Sequence, residues 1–216
     1  MPPQRRVSRE LIQEAAINLV ERGGLTALTF QALADRLGVS KQAILYWYPT
    51  KWELIAECGL PLMRQEADAL IEAVAGSRDG TDAIDRFIRA FARHYGARLP
   101  QFRVLYMPEP LGVEPNSPDQ QAALAPIHRV TSSVYAALET WIASDPRFAG
   151  EGVNARQLAV AVHMSAVGLM TMFAGADALG DPMVQSLDKM VDAVVALSRR
   201  GEIATGTAAA VAGRRR

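Results

Sequence analysis

The sequence predicts an all-α protein: a three-helix helix-turn-helix head joined to a larger helical body, about nine helices in all. Three observations carry that prediction. Apolar residues recur at spacings of three and four along most of the chain, and no run of alternating β-branched residues marks a strand. Capping residues stand just before several of these periodic segments, with glycine or proline just after them. Between residues 29 and 48, two short apolar-faced segments flank Gly38, where a tight interhelical turn needs the positive φ that glycine adopts cheaply.

The elements follow in order. Ser8 caps a first helix whose Leu11, Ile12, Ala15, Ala16, Leu19 and Val20 share one side, and Gly23-Gly24 stops it. Thr29 caps a short second helix with Phe30, Leu33, Ala34 and Leu37, and Ser40 caps a third running to about Tyr46. Thr50 and Glu53 form a capping box that opens a long fourth helix to about Ala75. Pro61 is expected to kink this helix or split off its first turns. A fifth helix is expected over roughly Asp82–Arg98 and a sixth over Gln101–Met107. After a proline-rich connection, a seventh spans about Pro118–Ser144, bent near Pro126. The eighth covers about Asn154–Leu179 and the ninth about Asp181–Arg200. Leu158–Ala176 is 19 residues without a formal charge, long enough to span a bilayer. Its His163, Ser165 and Thr171, among many Ala and Gly residues, favour a helix buried on most sides inside protein, so no membrane partner is expected.

Composition bounds the class. The 216 residues are 50% hydrophobic and 21% charged, ordinary for a soluble globular protein. The arginines near the N-terminus have no apolar stretch behind them, so no secretory signal is expected. A single cysteine, Cys58, excludes an intramolecular disulfide and suits the reducing cytoplasm. The formal net charge is zero but unevenly spread. Residues 1–51 hold seven basic and four acidic residues, residues 52–198 eleven and eighteen, and residues 199–216 five and one. A basic head on an acidic body points the head at a polyanion.

Residues 29–48 fit a helix-turn-helix for several independent reasons. Ala34 is small where two helices must cross, Gly38 sits at the turn, and Leu33, Leu37, Val39 and Ile44 supply apolar contacts between the second and third helices. Tyr46, Trp47 and Tyr48 then stand in a row in a chain that is only 6% aromatic. Neighbours on a helix point about 100° apart, so the three cannot all face one core.

These residues resemble the DNA-binding head of the TetR family of transcription regulators. The likeness lies in the helix begun at Thr29, in Leu-Ala-Asp-Arg-Leu-Gly-Val-Ser at 33–40, and in Ile-Leu-Tyr-Trp-Tyr-Pro-Thr-Lys-Trp-Glu-Leu at 44–54. The rest of the chain matches the family in helix number, lengths and order. One departure is Leu45, where many members have tyrosine; Tyr46 follows it. The resemblance implies that the third helix enters the major groove by its N-terminal part, bringing Ser40, Lys41, Gln42 and Ala43 nearest the base edges. Gln42 can pair bidentately with adenine, and Lys41 can donate to guanine or to a phosphate. Tyr46 or Trp47 would lie along the sugar-phosphate wall with Lys51 beside it, and Thr29 with its helix N-terminus would receive another phosphate. Tyr48 is expected to pack inward over Leu54 and the first helix. A plainer reading makes these aromatics, with Trp52, glue between head and body; it is preferred for Tyr48 and Trp52.

The resemblance also implies a homodimer whose last two helices form a four-helix bundle with their partners. Such a dimer presents two recognition helices to a palindromic operator about one helical turn, ~34 Å, apart. Met183, Leu187, Met190, Val191, Val194 and Leu197 recur at helical spacing on the ninth helix, as this requires. An effector cavity is implied among helices four to eight. Met63, Phe87, Phe91, Tyr95, Phe102, Tyr106, His128, Tyr135, His163 and Met170 are its candidate lining, each competing with ordinary core packing. The expected domains are a head at 1–52, a ligand-binding and dimerisation body at 53–201 and a disordered tail at 202–216. The expected function is a sequence-specific DNA-binding transcriptional regulator, a repressor released from double-stranded DNA by a small, largely apolar effector. The rivals are an enzyme and a helical protein-interaction module. His94, His128, His163 and Cys58 lie far apart in the chain, without a His-x-x-x-His pair, a phosphate loop or a serine elbow. No enzymatic activity, cofactor or metal is therefore expected.

Overall fold

The computed structural model describes residues 7–107, 117–149, 154–182 and 185–197. Most of the proline-rich connection, Met183 and the 202–216 tail lie outside the described residues. Among the described residues there are α-helices and no strand: α1 (Arg9–Ala27), α2 (Phe30–Leu37), α3 (Lys41–Trp47), α4 (Lys51–Ala75), α5 (Gly80–Gly96), α6 (Leu99–Tyr106), α7 (Pro118–Ser144) and α8 (Ala155–Leu179). A short 3-10 turn, Pro146–Phe148, follows α7, and a last helix, α9, covers 187–197. The chain divides into two compact units, one of Met1–Gln65 with Pro100–Thr131, the other of Glu66–Leu99 with Ser132–Arg216.

In the first unit, the Ser8 hydroxyl accepts from the Leu11 amide at 3.3 Å and starts α1 where the sequence predicts. Gly24, at φ 70° and ψ −176°, is non-helical and ends the first run of α1 where the sequence predicts, and one further helical turn follows it to Ala27. The buried side of α1 is Ile12, Ala15, Ala16 and Val20. With Leu28, Leu33, Ala34, Ile44, Tyr48 and Leu54 it forms one apolar core. Thr50 Oγ1 accepts from the Glu53 amide at 3.2 Å, the forward half of the predicted capping box. Pro61 does not split α4, nor Pro126 α7. Each proline removes one backbone hydrogen bond, and the flanking turns remain helical.

The second unit is organised around α5, whose Ile84, Phe87, Ile88, Phe91 and Tyr95 are all buried. This helix begins earlier than predicted because the Asp79 carboxylate caps it, accepting from the Asp82 amide at 2.8 Å. Helix α8 packs against it, burying Ala159, His163, Ala166, Met170 and Ala174. A reciprocal capping box of Asn154 and Gln157 opens α8, and Gly180 at φ 64° closes it. This helix is long and apolar enough to cross a membrane by length and composition, yet only 28% of its most apolar window is buried. The expectation of burial on most sides therefore fails within a single chain: Met164 is 68% exposed and Met172 67%. Ser186 starts α9, its hydroxyl accepting from the Lys189 amide at 3.4 Å, several residues later than predicted. Val191 and Val195 are the buried residues of α9, and Arg89 of α5 pairs with Asp192 at 2.7 Å.

A polar clamp joins the end of α7 to the start of α5. Asp145, 6% exposed, accepts from the Gly80 amide at 2.9 Å and from Arg147 Nη2 at 2.6 Å and Nε at 2.9 Å. A Cβ on Gly80 would sit 2.8 Å from the Phe148 ring, so glycine is required for the approach. The hydrogen bonds from Arg147, then those from backbone amides, hold the Asp145 carboxyl at about 2. Its folded value lies below the unfolded one of roughly 3.9, so its stabilisation is present above that value and lost as pH falls towards 2. Asp145→Asn should cost about 2 kcal/mol at pH 7 and much less near pH 2, measured by urea unfolding at both. An equal cost at both would show that the carboxylate charge is irrelevant to the clamp.

Candidate nucleic-acid interface

The head is built so that α3 is locked on one side and open on the other. Thr29 is extended (φ −121°, ψ 152°), and its hydroxyl accepts from the Ala32 amide at 3.0 Å to start α2. At Gly38, φ 67° and ψ 38° turn the chain, with amide bonds returning to Ala34 and Asp35. Ser40 then starts α3, accepting from the Ala43 amide at 3.2 Å. Leu33 and Ile44 are fully buried and Ala34 is 1% exposed, so the crossing of α2 and α3 closes around one small residue flanked by two large ones. Leu37 and Val39 are partly buried against this core.

The opposite face of α3 carries Lys41, Gln42 and Tyr46, all exposed, with Ala43 half-buried. Tyr46 is 80% exposed and meets Trp47 edge to face, ring centres 5.7 Å apart. Neither Lys41, Gln42 nor the Tyr46 hydroxyl has a hydrogen-bond or ion-pair partner among the described residues. The aromatic row thus resolves into three environments: Tyr46 outward, Trp47 half-buried and Tyr48 fully buried in the head core. Lys51, at the start of α4, is half-buried with no carboxylate within ion-pair reach among the described residues, and burial lowers its pKa. A half-buried cation without a carboxylate beside it is open to an anion from outside. The Thr29 and Ser40 hydroxyls are engaged as caps, so a phosphate at either helix start would meet backbone amides.

The sequence marks Arg9 only as a charge, and in the structure it does more. Its guanidinium pairs with Glu57 at 3.3 Å, lies 5.1 Å from the Tyr48 ring centre and reaches the Trp47 carbonyl at 3.5 Å. Gln13 Nε2 donates to Glu57 at 2.7 Å beside it. Together they tie α1 and α4 to the end of α3. The signal available in the sequence is the pair Arg9 and Gln13, one turn apart on the polar flank of α1.

The ten candidate effector residues separate. Phe87, Phe91, Tyr95, Tyr135 and His163 come together in the second unit: the His163 ring lies 5.2 to 5.8 Å from Phe91, Tyr135 and Phe87. His163 Nδ1 and the Tyr135 hydroxyl are 3.0 Å apart, and Tyr95 donates to Glu66, which is 2% exposed. Burial holds His163 at about 4, so its ring is neutral at pH 7. Met170 is fully buried in the same unit. Met63, Phe102, Tyr106 and His128 belong to the first unit, where Phe102 stacks on Tyr106 at 5.1 Å and His128 is exposed. Burial and Glu57 push the Cys58 thiol up to about 12, leaving it a poor nucleophile. No cluster of three His, Cys, Asp or Glu residues suited to a metal occurs among the described residues.

Residues 12–58 match the family model of the bacterial regulatory proteins of the tetR family. The fold resembles a bacterial regulatory protein in the tetR family from Rhodococcus RHA1 (TM-score 0.62, 20% identity, covering 90% of this chain and 97% of that one). It also resembles the fatty acid degradation regulator FadR from Bacillus halodurans (0.62, 14%, 88% and 97%) and the TetR family transcriptional regulator PfmR from Thermus thermophilus (0.52, 22%, 88% and 96%). No curated protein matches the chain. At such identities the structural likeness establishes the fold, and it extends over nearly the whole length of each relative. The head at 12–58 is thus similar to that of the bacterial regulatory proteins of the tetR family, and the whole chain shares the fold of solved regulators of that family.

Proposed function

We propose that the protein is a cytoplasmic repressor that binds a palindromic operator as a homodimer and leaves it when a small, largely apolar effector binds. The observation that carries this reading is the outward face of α3, where Lys41, Gln42 and Tyr46 are exposed while Ile44 anchors the helix from behind. In this reading Gln42 and Lys41 read base edges, Ser40 and Ala43 bring the backbone close, and Tyr46, Trp47, Lys51 and the Thr29 end of α2 grip phosphates.

The dimer is proposed through α8 and α9. Gln157, Ala161, Met164, Ser165, Gly168 and Met172 lie exposed along one side of α8, and small residues there allow close approach of a second helix. An apolar strip of this kind is costly to leave in water and forms a self-complementary surface about a two-fold axis. The effector is proposed to engage the cluster of Phe87, Phe91, Tyr95, Tyr135 and His163, whose polar tips would orient an otherwise apolar ligand. Binding there favours a conformation of the body in which α4 takes the head out of register with the operator, a population shift.

Selection of bound duplexes from a random pool identifies the operator, and repeating it with candidate metabolites tests for release. Lys41→Ala with Gln42→Ala should abolish operator binding in a gel-shift assay while the melting temperature holds; unchanged affinity rejects the groove assignment. Lys51→Ala should weaken all duplexes alike and flatten the logarithmic salt dependence by about one unit, as loss of one phosphate contact requires. Met164→Glu with Met172→Glu should convert a sedimenting dimer into a monomer. A wild-type monomer at micromolar concentration would remove the dimer from the proposal.

A further inference from the structure

We propose that a basic groove between α4 and α5 is a second binding site, one that takes a small molecule carrying a phosphate monoester. The groove encloses about 620 Å³ and lies wholly within residues 69–98, apart from the buried aromatic cluster. That volume falls in the range of roughly 300–1,000 Å³ typical of small-ligand sites. Three of its lining residues are arginines, Arg86, Arg93 and Arg98, and Glu72 is its one carboxylate. Alanines of both helices, Ala73 and Ala90 among them, complete the lining and leave the space open. With His94 neutral, the lining carries a net charge of +2. It does so in a stretch, residues 52–198, where eighteen acidic residues outnumber eleven basic ones.

The distribution of ion pairs along α5 sharpens the point. Asp82 pairs with Arg86 at 3.0 Å, and Arg89 has two carboxylates, Asp85 and Asp192. One turn further on, Arg93 has no carboxylate and no hydrogen-bond partner among the described residues. Among the described residues, Arg98 Nη1 reaches the His94 ring, 3.4 Å from Nδ1, and His94 Nε2 has no hydrogen-bond partner. Arg86 and Arg93 are seven residues apart, two helical turns, and therefore stand on one face of α5. Arg86 is met by Asp82, whereas Arg93 and Arg98 are exposed on the groove wall, and their planar forks match phosphate oxygens. A net charge of +2 suits the dianion of a phosphate monoester, and the alanines leave room for its organic part. An open groove of this volume is matched in size to a small molecule, whereas a duplex demands an extended surface.

The site is independent of the repressor reading, since a chain that bound no operator would still show it. Phenyl phosphate, titrated calorimetrically into the full chain at fixed ionic strength without DNA, should bind saturably, one per chain, and more tightly than inorganic sulfate. Arg93→Ala and Arg98→Ala should each weaken it at least about tenfold, as loss of a charge-assisted hydrogen bond does. Ala97→Glu, which adds a carboxylate to the groove wall and removes no arginine, should abolish it; Lys41→Ala should not affect it. Unchanged melting temperatures certify that the variants fold. Absence of saturable binding, or binding insensitive to all three groove variants, overturns the proposal. Capture by phosphatidic acid vesicles that Arg93→Ala abolishes, without phenyl phosphate binding, would assign the phosphate to a lipid surface and overturn it. So would a fall in operator affinity in Arg93→Ala without phosphate binding, which would make the groove a DNA contact.

Discussion

The closure of α2 upon α3 is the constraint on which the rest of the molecule depends. Leu33, Ala34 and Ile44 leave no space between the two helices, and Gly38 turns the chain within a single residue at a positive φ. Because that apolar contact takes up one side of a seven-residue helix, the other side is displayed without any further device. A helix this short has little stability of its own, so its shape and direction are imposed by what lies behind it. The recognition surface is in this sense a by-product of the head's core.

Arg9 and Glu57 add a second layer of control. Their pair joins the start of α1 to α4, and Arg9 alone reaches the last carbonyl of α3, so the end of that helix is bounded by polar contacts as well as apolar ones. The same helix α4 carries Glu57 in the first unit and Glu66 in the second. One continuous element therefore bears both the partner of Arg9 and the partner of the buried Tyr95.

The body shows two contrasting ways of treating polar groups. Tyr95, Glu66 and His163 are buried and, with the half-buried Tyr135, form two hydrogen-bonded pairs, which is what burial in a poorly polarisable interior demands. Arg93 and Arg98, by contrast, line an open groove with little internal compensation. The first arrangement specifies packing and offers oriented hydrogen-bonding tips. The second leaves positive charge to be met from outside.

Helical periodicity and caps alone determined the class of the fold, the order of its helices and most of their ends, because those signals act within a few residues. The helix-turn-helix was legible for the same reason: Ala34, Gly38 and Ile44 work at short spacing, and the angle between neighbours keeps Tyr46, Trp47 and Tyr48 from all facing one core. What lay beyond that reach was decided by packing across the chain. Asp79 in place of Asp82 at the start of α5, the Asp145 clamp on Gly80, and the further helical turn after Gly24 each depend on local geometry that a residue pattern does not encode. The ten aromatic, methionine and histidine candidates looked alike in the sequence, yet tertiary structure set Phe87, Phe91 and Tyr135 around His163 and left His128 on the surface. A side chain's neighbours are set by helices far apart in the chain, and only their packing determines which apolar residue meets which polar one.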